Sequence, residues 1–123
     1  MAGLPMQWNT TTAAGSQWAQ TFTLTKPDGT PLDITGLVWE FVIRPAVTDT
    51  AQPPLVKVTT TASSQGQITV TTSTASVQVV LAPAATSLLG RGARPFSLWS
   101  NPGTPTAVCW VEGSFHSQPV AGP

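Results

Sequence analysis

Residues 37–44 alternate without a break: Leu37, Trp39, Phe41 and Ile43 fall on one side, and Val38, Glu40, Val42 and Arg44 on the other. A period of two belongs to a pleated strand, whose successive side chains point to opposite faces. The pattern returns along the chain between turn residues. Residues 17–25 set Trp18, Phe22 and Leu24 against Ala19, Thr21, Thr23 and Thr25, with Gln20 the one polar residue on the apolar side. Residues 55–61 turn Val56 and Val58 inward and Lys57 outward, as a polar edge strand does. Residues 67–72 and 76–81 alternate through Ile68 and Val70 and through Val77, Val79 and Leu81, a pair suited to a meander. Residues 94–100 carry Phe96 and Leu98 opposite Trp99, and residues 107–116 complete the set.

The punctuation agrees with the strands. Lys26-Pro27-Asp28-Gly29-Thr30-Pro31 supplies a turn, Asp33 to Gly36 another through an Asp side chain that bonds nearby backbone N–H groups, and Asn101-Pro102-Gly103 a third. Pro45 ends the strand before it, because proline cannot donate to a ladder. Residues 83–89 form the one helical candidate, with Pro83 in the first turn and Gly90 as a stop. About seven strands at this spacing predict an all-β fold, an immunoglobulin-like antiparallel β-sandwich with one short helix. Three parts are expected: an N-terminal arm over residues 1–14 that orders on assembly, a sandwich over 15–116, and an extended tail over 117–123.

Composition supports a folded β domain and removes most chemistry. Twenty Thr and ten Ser accompany Val and Ile, and branched side chains favour strands over helices. Five Trp and four Phe sit among only ten Lys, Arg, Asp and Glu residues, with a net charge of zero. The single local excess of positive charge is Arg91-Gly92-Ala93-Arg94, too little to hold a phosphate backbone, so nucleic acid is not an expected partner. No apolar run is long enough for a membrane-spanning helix. Cys109 is the only cysteine; its neighbours Val108, Trp110 and Val111 predict a small buried hydrophobe in a protein made in a reducing cytoplasm.

Catalysis needs groups that this chain scarcely has. His116 is the only imidazole, no Gly-x-Ser-x-Gly elbow is present, and no His/Cys set offers metal ligands. A paired-carboxylate glycosidase would have to recruit Glu40 and Glu112, which read better as outward strand positions or partners of Arg44. Asp28, Asp33 and Asp49 lack the spacing of a calcium loop. We therefore expect no catalytic residue, no cofactor and no metal.

One stretch carries a resemblance. Gly15-x-x-Trp18, then Phe22-Thr23-Leu24-Thr25, then Asp28-Gly29-Thr30-Pro31-Leu32-Asp33-Ile34-Thr35-Gly36, and the Ile43-Arg44-Pro45 strand end resemble minor tail proteins of long-tailed bacteriophages. They are more distantly similar to the N-terminal domain of upper baseplate proteins. Residues 82–90 resemble that family's short helix, and Phe96-Ser97-Leu98-Trp99 through Gly113-Ser114-Phe115 resemble its last hairpin, although the family commonly has Tyr-Asp-Leu at Phe96-Ser97-Leu98. The resemblance implies a virion structural protein at the tail or tail tip, made in the bacterial cytoplasm, with other phage proteins as partners and a symmetric oligomer in the particle. The alternatives are a capsid decoration protein and a tail module that binds a host-surface glycan.

The aromatic residues divide between core and contact. Trp18 and Trp39 share faces with Phe22, Phe41 and Ile43 and belong to the core. Trp99 and Trp110 lie opposite the regular alternation, where an exposed aromatic anchors an interface. Leu4, Met6 and Trp8, in the arm, complete the expected interface. Indole rings also stack on sugars, provided that polar groups surround the ring to orient the hydroxyls.

Overall fold

An alternating run has one apolar side that must leave water, and each such run forms a strand. The computed structural model describes residues 6–46, 48 and 54–121. It contains β1 Met6–Gln7, β2 Thr10–Ala14, β3 Trp18–Thr23, β4 Trp39–Ile43, β5 Val56–Thr59, β6 Gly66–Thr71, β7 Ser76–Leu81, β8 Gly92–Ser100 and β9 Val108–Pro119. A helical turn, α1 Pro83–Thr86, continues as a tighter turn over Ser87–Leu89 between β7 and β8. The fold is an all-β sandwich. In the larger sheet β9, β8, β4 and β5 pair antiparallel in that order, with β1 and β2 parallel to the far side of β9; the smaller sheet runs β3-β7-β6, all antiparallel.

The predicted apolar faces meet between the sheets. Trp18, Phe22, Ile68, Val77 and Val79 of the smaller sheet pack against Phe41, Ile43, Phe96, Leu98 and Phe115 of the larger. Trp18 stacks on Phe41 with ring centroids 6.0 Å apart, and Phe41 stacks on Phe96 at 5.3 Å. Each such aromatic or aliphatic side chain contributes roughly 1.5–3 kcal/mol when fully buried. Trp39 is buried as expected. The turns behave as their residues require: Thr30 N–H and Thr30 Oγ1 donate to Asp28 Oδ1 at 3.0 and 2.6 Å, and Thr35 N–H donates to Asp33 Oδ1 at 3.1 Å.

The two ends of the chain depart from the reading as an arm and a tail. Of residues 1–14, those from Met6 onward are part of the sandwich: Met6 pairs with Val111, Gln7 with Glu112, and Thr10 through Ala14 with Phe115 through Pro119, in one register. Trp8 sits between β1 and β2 and enters the aromatic core, 5.4 Å from the Phe22 ring and 6.1 Å from Phe96, with its N–H on the Glu112 carbonyl. The backbone approaches so closely that a Cβ on Gly113 would lie 1.6 Å from the Trp8 carbonyl oxygen. Trp18 Nε1 donates to Thr10 Oγ1 at 3.4 Å. In the expected tail, Ser117–Pro119 are the last residues of β9, and Ser117 is 1% exposed. The larger strand count follows from these added pairings. β2 is Thr-Thr-Thr-Ala-Ala, and its stabilisation comes from backbone bonds to a strand near the other end of the chain, which leave no hydrophobic period behind.

The opposite flank is closed by side chains. Lys57 N–H donates to Gln65 Oε1 and Gln67 Nε2 donates to the Thr60 carbonyl, both at 3.0 Å, so β5 and β6 are tied where the two sheets meet. Lys57 also reaches Glu40 at 3.5 Å. No helix among the described residues is long and apolar enough to cross a membrane.

Candidate functional site

With one side of each strand committed to the core, the other side of the larger sheet carries Glu40 and Val42 from β4, Arg44 just beyond its end, Ser97 and Trp99 from β8, and Cys109 and Glu112 from β9. These positions line a groove of about 420 Å³. Pro102 and Gly103, from the turn after β8, lie near one end, and Arg44 and Pro95 near the other, where Arg44 N–H bonds the Pro95 carbonyl at 3.0 Å. Val42 is the floor. It faces away from the core yet is only 6% exposed, because its neighbours on this face cover it.

Trp99 dominates this surface. Its Nε1–H donates to Ser97 Oγ at 2.8 Å, two residues back on the same face, which holds the indole along β8 instead of letting it stand out into solvent. Trp99 lines the groove. Trp110 has a different fate. The ladder shifts between Leu98 and Trp99, with Leu98 opposite Val111 and Trp99 opposite Cys109, so Trp110 is the extra residue of a β-bulge. It packs against the core and donates from Nε1 to the buried Ser100 Oγ at 2.9 Å. The pair read together as interface residues therefore separates.

Polar groups surround the indole. Glu40 is directly opposite Trp99 on β4, and Glu112 is opposite Ser97 on β9. Each is steadied from outside the groove, Glu40 by Lys57 and Glu112 by Gln7 Nε2. Their strands are separated by β8, so the backbones stand roughly 9–10 Å apart. Two glutamates on strands so spaced suit hydrogen-bonding groups on opposite lips of the groove.

Cys109 is half-buried on the outer face and lines the groove, correcting the expectation of a core residue. Its neighbours Val108, Trp110 and Val111 do not share its face, because the bulge disrupts their alternation. Desolvation pushes its thiol up to about 11, with the Glu112 carboxylate adding to the effect, so it is a neutral thiol near pH 7. It donates to the Val111 carbonyl at 3.6 Å.

The remaining expected interface residues scatter. Leu4 lies outside the described residues. Met6 is on β1 and 53% exposed, whereas Trp8 is half-buried and packs against the core. His116 lines a second depression of about 430 Å³ with Thr11, Ala13, Gln118 and Val120. Among the described residues, no three His, Cys, Asp or Glu are placed so that they could hold a metal ion. The residues missed as a set are Glu40, Val42 and Glu112 beside Trp99. Glu40 and Val42 were legible as one strand face, but Glu112 joins them only through the register across the bulge. Compared with known proteins, the chain matches no family model, and no curated protein is significantly similar to it.

Proposed function

We propose that this chain is a structural subunit of a bacteriophage particle, at the tail or tail tip, which makes and breaks no bonds and works by docking on neighbouring subunits. The resemblance of residues 15–45 to minor tail proteins suggests the setting. One structural observation carries the docking itself: the outer edge of the larger sheet, residues 6–14, has no charge, no proline and no bulge, and no strand pairs with its far side among the described residues. Monomeric proteins defend such an edge with lysine, proline, a bulge or a covering element. Here the helical turns lie against part of β2, and Thr86 Oγ1 bonds the Gly15 N–H and the Ser16 carbonyl where β2 hands over to β3, but no strand is added there. An edge of this kind suits strand addition by a neighbour. The order of the larger sheet, with a parallel N-terminal strand beside the last one, supports an immunoglobulin-like arrangement.

The test is a charge on the edge. Thr11 is exposed, so Thr11→Lys should leave stability within about 0.5 kcal/mol of the parent. Mass spectrometry of purified particles from cells expressing parent and variant should recover the parent chain with the tail fraction and strongly reduced amounts of the variant. Equal incorporation would reject docking by this edge. Recovery with heads alone would move the protein to the capsid.

A further inference from the structure

The groove around Trp99 is a second site, independent of the edge and of the virion setting. We propose that it binds a neutral saccharide, with a sugar ring stacked on the Trp99 indole and its hydroxyls bonded to Glu40, Glu112 and Arg44. Four observations carry this. The Trp99 indole lines the groove and is tethered by its bond to Ser97 Oγ, so less side-chain freedom is lost when a ligand stacks on it. Val42 beneath the groove is covered although it faces outward, so the floor is apolar. The lining mixes acceptors, the carboxylates of Glu40 and Glu112, with the donors of Arg44, which is the combination that a ring of hydroxyls can satisfy in both senses. The volume of about 420 Å³ falls within the range of small-ligand sites.

Charge decides which saccharide. Two carboxylates stand against Arg44 and the Lys57 that pairs with Glu40, so the groove has no excess of positive charge to hold an acidic sugar, and a neutral one needs none. A peptide occupant is less well matched: an extended chain gains most from an open strand edge, whereas β4, β8 and β9 have both of their backbone sides paired here.

The experiment uses the full chain and neutral di- and trisaccharides of glucose, galactose, mannose and N-acetylglucosamine, with a sialylated trisaccharide as the acidic comparison. Binding is read from the five indole N–H signals by NMR. At least one neutral sugar should shift the Trp99 signal saturably at millimolar concentration and leave Trp39 unmoved. Trp99→Ala should weaken binding at least tenfold, Trp99→Phe should keep part of it, and Glu40→Gln should weaken it severalfold, each measured on protein that a cooperative melting curve shows to be folded. Absence of a saturable Trp99 shift with every neutral sugar overturns the proposal, as does preference for the sialylated sugar or binding that survives Trp99→Ala. Burial of Trp99 in intact particles without any sugar response assigns the groove to a protein contact and also overturns it.

Discussion

The two flanks of the larger sheet solve one problem in opposite ways. At β5 the edge carries Lys57, pairs that lysine with Glu40, and passes a backbone N–H to Gln65, so a foreign strand meets a charge and an occupied donor. Along residues 6–14 the edge shows threonine, alanine and an exposed Met6, and the chain invests in holding the strand down instead of in fending others off. The N-terminal flank also depends on a glycine at a close approach: a Cβ on Gly113 would lie 1.6 Å from the Trp8 carbonyl oxygen. The difference teaches that one flank is guarded by charge and side-chain bonds, whereas the other is held by backbone pairing and the Trp8 anchor.

The strongest way to break the contrast is to remove the strand itself. Gly113→Val sets a side chain against the Trp8 backbone, where nothing flexible can give way, so residues 6–14 should leave β9. We expect a loss of about 3 kcal/mol in urea denaturation, together with amide exchange at Thr10–Ala14 as fast as in free chain. Trp8→Ala, which removes the aromatic anchor but leaves the backbone path open, should cost about 2–4 kcal/mol and retain partial protection. Backbone NMR of the isolated subunit showing residues 6–14 disordered in the parent would contradict the pairing outright.

A smaller change should make the flanks alike. Lys57→Thr removes the guard and an exposed ion pair, costing about 0–1 kcal/mol in stability. Its effect should appear in association, as concentration-dependent growth in scattering that the parent does not show. If the two proteins scatter alike, the guard is unnecessary and the contrast weakens.

The smallest effect concerns the turns that lead from β3 toward β4. Hydrogen bonds from the Thr30 hydroxyl and N–H hold Asp28 below the ordinary aspartate range, and the Thr35 N–H does the same for Asp33. A carboxyl whose folded value is depressed stabilises the fold above its unfolded value and loses that contribution as pH falls through the folded one. Both groups are exposed, so stability should be flat from neutrality to about pH 4.5 and decline slightly below it. In Asp28→Asn the decline below that pH should be shallower still.

Much of the core was legible before any coordinates. Trp39, Phe41 and Ile43 inward with Glu40, Val42 and Arg44 outward follows from a period of two, and β3, β5, β7 and β8 obey it in the same way. The helical turn was legible from Pro83 and Gly90. The N-terminal strands were not, because edge pairing stabilises through the backbone and tolerates any side chain that avoids a clash. Trp110 was misread since a bulge inserts one residue and inverts the alternation beyond it; nothing local in Cys109-Trp110-Val111 announces it.

The sequence by itself determined an all-β chain, its two-faced strands, its turns and its poverty in charge, because these depend on neighbours two to four residues apart. Only the tertiary structure decided that Met6 through Pro119 close into one sandwich, that Trp8 and Trp110 turn inward while Trp99 faces out, and that Glu40 and Glu112 come to flank it. Those placements depend on strand order and register between residues far apart in the chain. That is a competition among alternative pairings, settled by the packing of the whole core and not by any one segment.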